Sequence, residues 1–223
     1  MNMKALIAYD KIRRLILNGT KRPGTRLILA ELEQELQIGR GPIREALMRL
    51  DRSGLVKNIP YKGAIVENPP TLKEIRWLYE LRVSIELKLA VEAMRNLTEE
   101  DFKELDELYK KMLLLSKTGE NFFNLDRAFH RRIYQASRLP HLCMIVQKLL
   151  ESVEVFLNLY HYDQSDCTHF VQEHAIILKA LREKDADTLC KTLEDNINGG
   201  LNLIGKEYGP LGFSAGEWST NVK

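Results

Sequence analysis

The chain has 223 residues, of which 44% are hydrophobic and 29% charged, with a formal net charge of +2. That length and balance suit a soluble globular protein of one large or two small domains with a real buried core. No apolar run approaches the roughly 18 residues a membrane helix needs. The opening MNMKALIAYDKIRR has no apolar signal core and no small-residue cleavage site, so no secretory leader is expected. Cys143, Cys167 and Cys190 are odd in number and lack C-x-x-C spacing, so they read as free thiols in a reducing, cytoplasmic compartment.

The small net charge hides an asymmetry. Residues 1–67 carry 13 Lys and Arg against 7 Asp and Glu, and the remainder carries 20 against 24. A front of +6 and a back of −4 suggest that the front alone meets a polyanion.

In chain order, Ala5, Tyr9, Ile12, Leu15 and Ile16 repeat at helical spacing until NGTKRPG ends the run with turn chemistry. LAELEQEL is a second short helix, and QIGRG a tight turn. Pro42 suits the first position of a third helix, Ile43, Ala46, Leu47 and Leu50 form its inward stripe, and Gly54 suits its end. LVKNIPYKGAIV holds two β-branched runs about Pro60–Gly63, a small hairpin. Pro69 and Pro70 mark a seam near residue 68, and Thr71 with Glu74 makes a capping box for the next helix. Beyond the seam helices are expected near 72–95, 98–116, 120–137, 140–162, 167–183 and 186–206, joined by short loops. The division predicted is 1–68, 69–206 and a flexible tail over 207–223, in a mainly α fold.

With the third helix packed on its apolar stripe, Arg40, Arg44, Arg49 and Arg52 are left toward solvent or a partner. Helix, glycine-bearing turn, and helix with cations at its head describe a helix-turn-helix. Arginine bridges guanine O6 and N7 in the major groove and pairs well with phosphate. A solvated amphipathic helix with ordinary surface arginines fits the composition equally, and the hairpin, whose tip carries Tyr61 and Lys62, tips the balance toward DNA.

KRPGTRL followed by GRGPIREALMRLDRSGLVKNIPYKGAIV resembles the winged-helix DNA-binding domain of the GntR family of bacterial transcription regulators, over residues 5 to 67. The family pattern is P-G-x-x-L, S-R-x-P-V-R-E-A-L-x-x-L, E-G-L-V and a wing ending R-G-x-x-V. The resemblance implies that Arg40 and Arg44 meet bases or phosphates and that Tyr61, Lys62 and Gly63 form the wing; Gly41 and Arg49 complete the expected DNA-binding set. Gly39 and Gly41 replace the hydroxyl residues that commonly flank the first arginine.

The back half places polar residues on inward faces. Asp126 and His130, four apart, leave one helix face in line with Phe123, Ile133 and Ser137. His174 interrupts the stripe of Phe170, Val171, Ile177, Leu178 and Leu181, and Asn196 that of Leu189, Leu193, Ile197 and Leu201. Buried without partners each costs about 1–3 kcal/mol, so they should meet something. Either they form a satisfied hydrogen-bond network, or they share a metal such as Zn, Ni, Mn or Fe. His141, His161 and His169 fall at helix ends or loops and are expected on the surface. Arg82 interrupts a face of Ile75, Leu78, Ile85 and Leu89; it either holds a ligand carboxylate or pairs with Glu86 one turn on.

LYELRVSIELKLA, DRAFHRRIYQAS and QEHAIILKALREKDADTL resemble the all-helical FCD effector domain of the FadR branch of that family, over residues 72 to 200. The resemblance implies that Asp126, His130 and His174 ligate a divalent transition metal and that the bundle receives a small carboxylate effector, with Arg82 the residue placed to bind it. The family's fourth ligand is normally a histidine eleven residues beyond the aspartate that is Asp185 here, a position held by Asn196.

The resulting expectation is a homodimeric, DNA-binding transcription repressor, without enzymatic activity or a membrane segment, that meets a double-stranded operator and a small organic acid. Two alternatives are a regulator for which the metal is itself the signal, and a metal-dependent hydrolase with a vestigial DNA-binding domain. The hydrolase needs a base beside the metal, and Glu173 points about 100° away from its neighbour His174.

Overall fold

The computed structural model describes residues 3–17, 19–68, 70–118, 122–157 and 164–208; Pro69, His161 and the greater part of the expected tail, 209–223, lie outside them. The chain divides into two compact units, one built mainly on residues 1–75 and the other on residues 76–149 and 160–204.

The first unit contains α1 (Met3–Leu17), β1 (Arg26–Leu27), α2 (Leu29–Leu36), α3 (Arg40–Arg52), β2 (Val56–Ile59) and β3 (Gly63–Val66). Ala5, Tyr9, Ile12 and Ile16 of α1 are buried with Leu32 and Leu36 of α2 and Ile43, Ala46, Leu47 and Leu50 of α3. The apolar spacing of the three helices thus becomes one core, against which Val56, Ala64 and Val66 close the sheet. Gln37, in the left-handed conformation at φ 56°, ends α2, and Gly39 caps α3 without a side-chain bond. Arg40 is therefore the first helical residue, and Pro42 the third rather than the first as expected. The shift costs nothing in hydrogen bonding, because none of the first four helical N–H groups has an intrahelical acceptor. Gly54, at φ +73°, follows α3 where the expected cap lies.

The hairpin forms as expected, and a third strand joins it. The sheet order is β1-β3-β2, both pairs antiparallel, with Arg26 opposite Ile65 and Val56 opposite Val66. At two residues β1 is too short to show any alternation in the sequence. Its entry is made by Gly24, at φ +82°, whose N–H donates to the Val66 carbonyl at 2.8 Å.

The second unit uses α4 (Leu72–Ala93), α5 (Glu99–Thr118), α6 (Phe123–Ala136), α7 (Pro140–Leu157), α8 (Gln164–Glu183) and α9 (Ala186–Tyr208). The capping box of α4 is made in full: the Thr71 N–H donates to Glu74 Oε2 at 2.7 Å and the Glu74 N–H to Thr71 Oγ1 at 3.2 Å. Thr98 and Asp101 repeat it at α5, and Asp185 caps α9 by accepting from the Thr188 N–H at 3.1 Å. α5 packs against α6 and α8, where Arg132 bonds Asp101 and Arg182 bonds Asp106 at 2.6 Å. The inward face of α4 is Tyr79, Arg82, Glu86 and Leu89; Leu78 and Ile85, expected inside, are half-buried.

One backbone position is closed to any side chain. A Cβ on Gly63, at φ +110°, would stand 1.9 Å from the Leu27 carbonyl oxygen of the neighbouring strand. Gly63→Ala should therefore destabilise the chain by about 1–3 kcal/mol. Gly41→Ala, with nothing within 4 Å of its Cβ, should be neutral or gain up to about 1 kcal/mol from helix propensity. Reversible denaturation of the two full-length variants checks the pair; equal midpoints would contradict the β1–β3 register.

Candidate functional site

The outward face of α3 is cationic at its head. Arg40, Gly41, Arg44 and Arg52 are exposed, whereas the apolar stripe one-third of a turn away is fully covered. Arg40 Nε donates to Glu33 Oε2 of α2 at 2.6 Å, an exposed pair that fastens the turn between the helices and holds the guanidinium at its edge. Among the described residues none is paired with Arg44. Arg49 is placed differently from the expectation. It is half-buried on the flank facing α1, its guanidinium 4.3 Å from the centroid of the Tyr9 ring. Several positions further along a 3.6-residue helix, Arg49 has rotated away from Arg40 and Arg44 toward α1. Its charge braces two helices and is held back from the outer face.

The wing tip is a tight turn. The Lys62 N–H donates to the Ile59 carbonyl at 3.0 Å, Pro60 supplies the fixed φ, and Tyr61 takes φ 64°. This is the type II arrangement, whose third residue needs positive φ. A tyrosine there is sterically unfavourable, and the strained backbone presents its ring to solvent at 94% exposure, beside exposed Lys62. Gly63 is buried and shapes the wing through the close passage of β1. Asp51 of α3 accepts from the Asn58 N–H at 2.8 Å, tying the wing to the helix.

In the second unit Asp126, His130 and His174 come together, with one ligand-capable atom from each inside 4.8 Å of the others. The i, i+4 spacing on α6 puts His130 Nε2 3.5 Å from Asp126 Oδ1, and α8 brings His174 Nε2 to 2.9 Å from the same oxygen. His174 is wholly buried and His130 nearly so. His174 Nδ1 lies 2.7 Å from the Phe170 carbonyl, an acceptor only, so it carries the proton. Nε2 is buried and faces Asp126: in the neutral ring it offers a lone pair to a cation, and in the imidazolium it donates to the carboxylate. Two lone pairs at 2.9 Å repel unless a proton or cation lies between them. Imidazole nitrogen, imidazole nitrogen and carboxylate oxygen are the donor set that Zn²⁺ and its neighbours prefer, so the residues fit a metal. In the absence of a metal, protonated imidazoles take the cation's place. Burial alone would raise the Asp126 carboxyl, yet His130 and His174 hold it far below the carboxylate range. Burial would lower His130, but Asp126, and after it Glu86, holds it above the ordinary 6.5.

Arg82 lies beside this cluster as part of a buried chain. Its Nε donates to Glu86 Oε1 at 2.8 Å, and its guanidinium sits 4.7 Å from the Tyr79 ring centroid. The Tyr134 hydroxyl donates to Glu86 Oε2 at 2.6 Å and lies 3.5 Å from His130 Nδ1. The intrahelical Arg82–Glu86 pair, one of the two sequence readings, is thus formed, but with both partners inside. Tyr79 is completely buried, and burial pushes its hydroxyl up to about 12.

Asn196 is buried on α9. Its Nδ2 donates to Glu173 Oε2 at 2.8 Å, and Glu173 also meets His169 Nε2 at 3.2 Å. Burial raises the Glu173 carboxyl, and a donor amide is the natural neighbour for it. The same contacts engage both Glu173 oxygens, one with Asn196 and one with His169. His169 and His141 are exposed, as expected. Tyr79 and Tyr134 do not stand out in the sequence, and Glu86 reads there only as a surface-type partner. A signal existed: Tyr134 lies one turn beyond His130 and Glu86 one turn beyond Arg82, so each continues a polar line already noticed.

Residues 4–66 match the bacterial regulatory proteins of the gntR family, and residues 77–199 match the FCD domain. The HTH-type transcriptional regulator McbR of Escherichia coli K12 is 27% identical over 195 residues, covering 85% of this chain and 87% of McbR. The gluconate operon transcriptional repressor of Bacillus licheniformis is 27% identical over 195 residues, covering 84% and 79%. The solved structure of E. coli McbR/YncC shares the fold, with a TM-score of 0.70 at 24% identity over 93% of this chain and 100% of that one. The relatives are thus HTH-type transcription regulators and repressors. With its winged helix-turn-helix followed by a helical FCD domain, the chain belongs to the gntR family of bacterial regulatory proteins.

Proposed function

We propose that this chain is a cytoplasmic transcription repressor of the FadR branch, working as a homodimer on a double-stranded DNA operator and answering a small organic acid through a bound divalent transition metal. Residues 1–68 act as the DNA-binding domain and 69–206 as the effector and dimerisation domain. The observation that carries the DNA reading is the exposed guanidinium of Arg44 at the head of α3, beside Arg40 and a protruding wing tip of Tyr61 and Lys62. Arg44 reads a base edge, Arg40 and the backbone at Gly41 approach phosphate, and Lys62 with Tyr61 follows the neighbouring groove. Two such helices on a dimer suit a pseudo-palindrome with half-sites one helical turn apart.

Arg44→Ala should cost about 1–3 kcal/mol of operator binding and relax specificity there, while Lys62→Ala should weaken all sequences alike and lower the salt slope by about one. Arg49→Ala, at a residue held over Tyr9, should affect folding stability more than sequence preference. Gel-shift titrations across salt concentrations check all three; unchanged Arg44→Ala affinity would sink the placement of α3 in the groove.

The metal reading rests on the bare, buried Nε2 of His174 facing Asp126. Asp126, His130 and His174 would hold the ion, with Asn196 a weaker fourth donor through its carbonyl oxygen, and the ion would supply a positive centre for the effector carboxylate. Arg82, with its Nε committed to Glu86, would meet that ligand with its remaining N–H groups. Protein purified without tag or chelator should carry about one metal per chain, and Asn196→His should raise metal affinity. No gain from that variant would show that the position faces elsewhere.

The pH dependence comes from the two shifts. In metal-free protein the raised His130 contributes stability that is complete below 6.5 and lost as pH rises through its folded value. The depressed Asp126 contributes stability present above 3.8 and lost as pH falls toward its folded value. Chelated protein should therefore be most stable between these values and melt lower on the alkaline side. With Zn²⁺ added, stability should hold or rise there, because the metal takes the deprotonated imidazoles. Thermal melts with and without chelator check this; superimposable pH profiles would remove the metal.

A further inference from the structure

We infer that Tyr61 is a specificity-determining residue, whose phenol hydroxyl distinguishes A·T from G·C pairs on the floor of the minor groove. The inference rests on the DNA reading of the first unit and adds a base contact in a groove that the cations of α3 do not enter.

The case begins with a mismatch between side chain and backbone. In the turn from Ile59 to Lys62 the third residue needs positive φ, and Tyr61 takes 64°. Glycine meets that demand without steric cost and asparagine at little, whereas a bulky side chain at positive φ is an outlier. Packing would offset the cost, but the Tyr61 ring is 94% exposed. Among the described residues no hydrogen bond or ring contact engages it. The free protein therefore gains nothing from the ring, and strain of this kind gathers at positions that hold ligands.

The turn also presents the ring on a fixed support. Pro60 sets its own φ, the Lys62 N–H closes the turn on the Ile59 carbonyl at 3.0 Å, and Gly63 lies against the Leu27 carbonyl. Asp51 accepts from the Asn58 N–H at 2.8 Å, so the tip is carried by the same helix as Arg44. A side chain offered from a rigid tip loses little freedom on binding.

Ring and groove match in shape and chemistry. The minor groove is about 6 Å wide and about 7.5 Å deep, a slot that takes a flat ring edge-first and end-on. The leading end of the ring is a hydroxyl, and an A·T pair offers it adenine N3 and thymine O2 as acceptors. A G·C pair puts the guanine amino group in the middle of that floor, where it stops the ring short. Wedging between base steps is the work of apolar side chains, and a hydroxyl at the leading end favours the groove floor. Exposed Lys62 meets phosphate at the groove wall, which adds affinity without selecting bases.

The test is selection by the full-length protein from a pool of random-sequence duplexes, followed by gel-shift titration of the sequences recovered. Wild type should select A·T pairs at a step flanking the bases that depend on Arg44. A G·C pair placed there should weaken binding about tenfold, and an inosine·cytosine pair, which lacks the amino group, should restore it. Tyr61→Phe keeps both ring and strain, so it should retain the inner motif and lose most of the flanking discrimination. Tyr61→Asn should lose that discrimination too, and should raise the melting midpoint by about 2–4 °C because the turn is relieved. Tyr61→Phe discriminating as wild type does would overturn the inference, as would an inosine pair that binds like G·C. A lower midpoint for Tyr61→Asn would show that the ring supports the free fold, with the same consequence. A motif that is lost with Arg44→Ala yet indifferent at its flank removes Tyr61 alone; recovery of no motif at all means the DNA reading fails and Tyr61 falls with it.

Discussion

A neutral imidazole nitrogen and a carboxylate oxygen 2.9 Å apart cannot share a dry interior unless something positive lies between them. That constraint, set by His174 and Asp126, orders the polar groups of the helical unit. Asp126 gathers both histidines because α6 supplies His130 one turn along its own face and α8 brings His174 from across. The outer nitrogens are then tied down, by Phe170 on one side and Tyr134 on the other. Each of these contacts would be an ordinary hydrogen bond alone. Together they gather three groups, each with one atom able to ligate a cation, within 4.8 Å of one another.

The cost of burying such a set is offset elsewhere in the unit. α4, α5 and α9 are capped by side chains at Thr71, Thr98 and Asp185, each of which accepts from one N–H of the first turn. Phe129, fully buried, lies edge-on to both His130 and His174, with ring centroids 5.7 and 5.0 Å away. An aromatic edge is electropositive and the rings are held by its shape. The polar cluster is thus supported by apolar packing as well as by its own bonds, and rotation of either imidazole would have to displace Phe129.

Most of the architecture was legible because helical periodicity is a long-range signal. The six helices described in the second unit follow the predicted spans to within about three residues, the expected ends at 120–121 and 158–162 lying outside the described residues, and the Thr71–Glu74 box is where its motif placed it. The features that escaped have identifiable causes. β1 is two residues long, too short for alternation. Arg49 shares a charge and a helix with Arg44, and only the position of Tyr9, roughly forty residues earlier, draws it to the other flank. On α4 the search for an apolar stripe selected Leu78 and Ile85, whereas the face actually buried is polar and aromatic: Tyr79, Arg82 and Glu86. A hydrophobic pattern cannot point to a buried ion pair. The triad itself was visible as three polar residues on inward faces, but the partner of Asn196 was not, since Glu173 lies on another helix and its acceptor role depends on how α8 meets α9.

The position of Glu86 links Arg82 to the triad, since its carboxylate accepts from Arg82 and from Tyr134, whose hydroxyl lies 3.5 Å from His130 Nδ1; in the proposed reading this would couple ligand and metal without moving any helix. Its carboxylate is shared between Arg82 and Tyr134, so a ligand carboxylate that competes for the Arg82 guanidinium weakens one side of a charge-assisted bond and strengthens demand on the other. In that reading Tyr134 would hold His130 more or less firmly, and metal affinity would change with effector. Thermodynamic reciprocity requires the converse: occupancy of the triad must alter effector affinity by the same factor. A ligand that touched the metal alone would leave the Arg82–Glu86 bond as it was, so the degree of coupling depends on how fully the ligand engages Arg82.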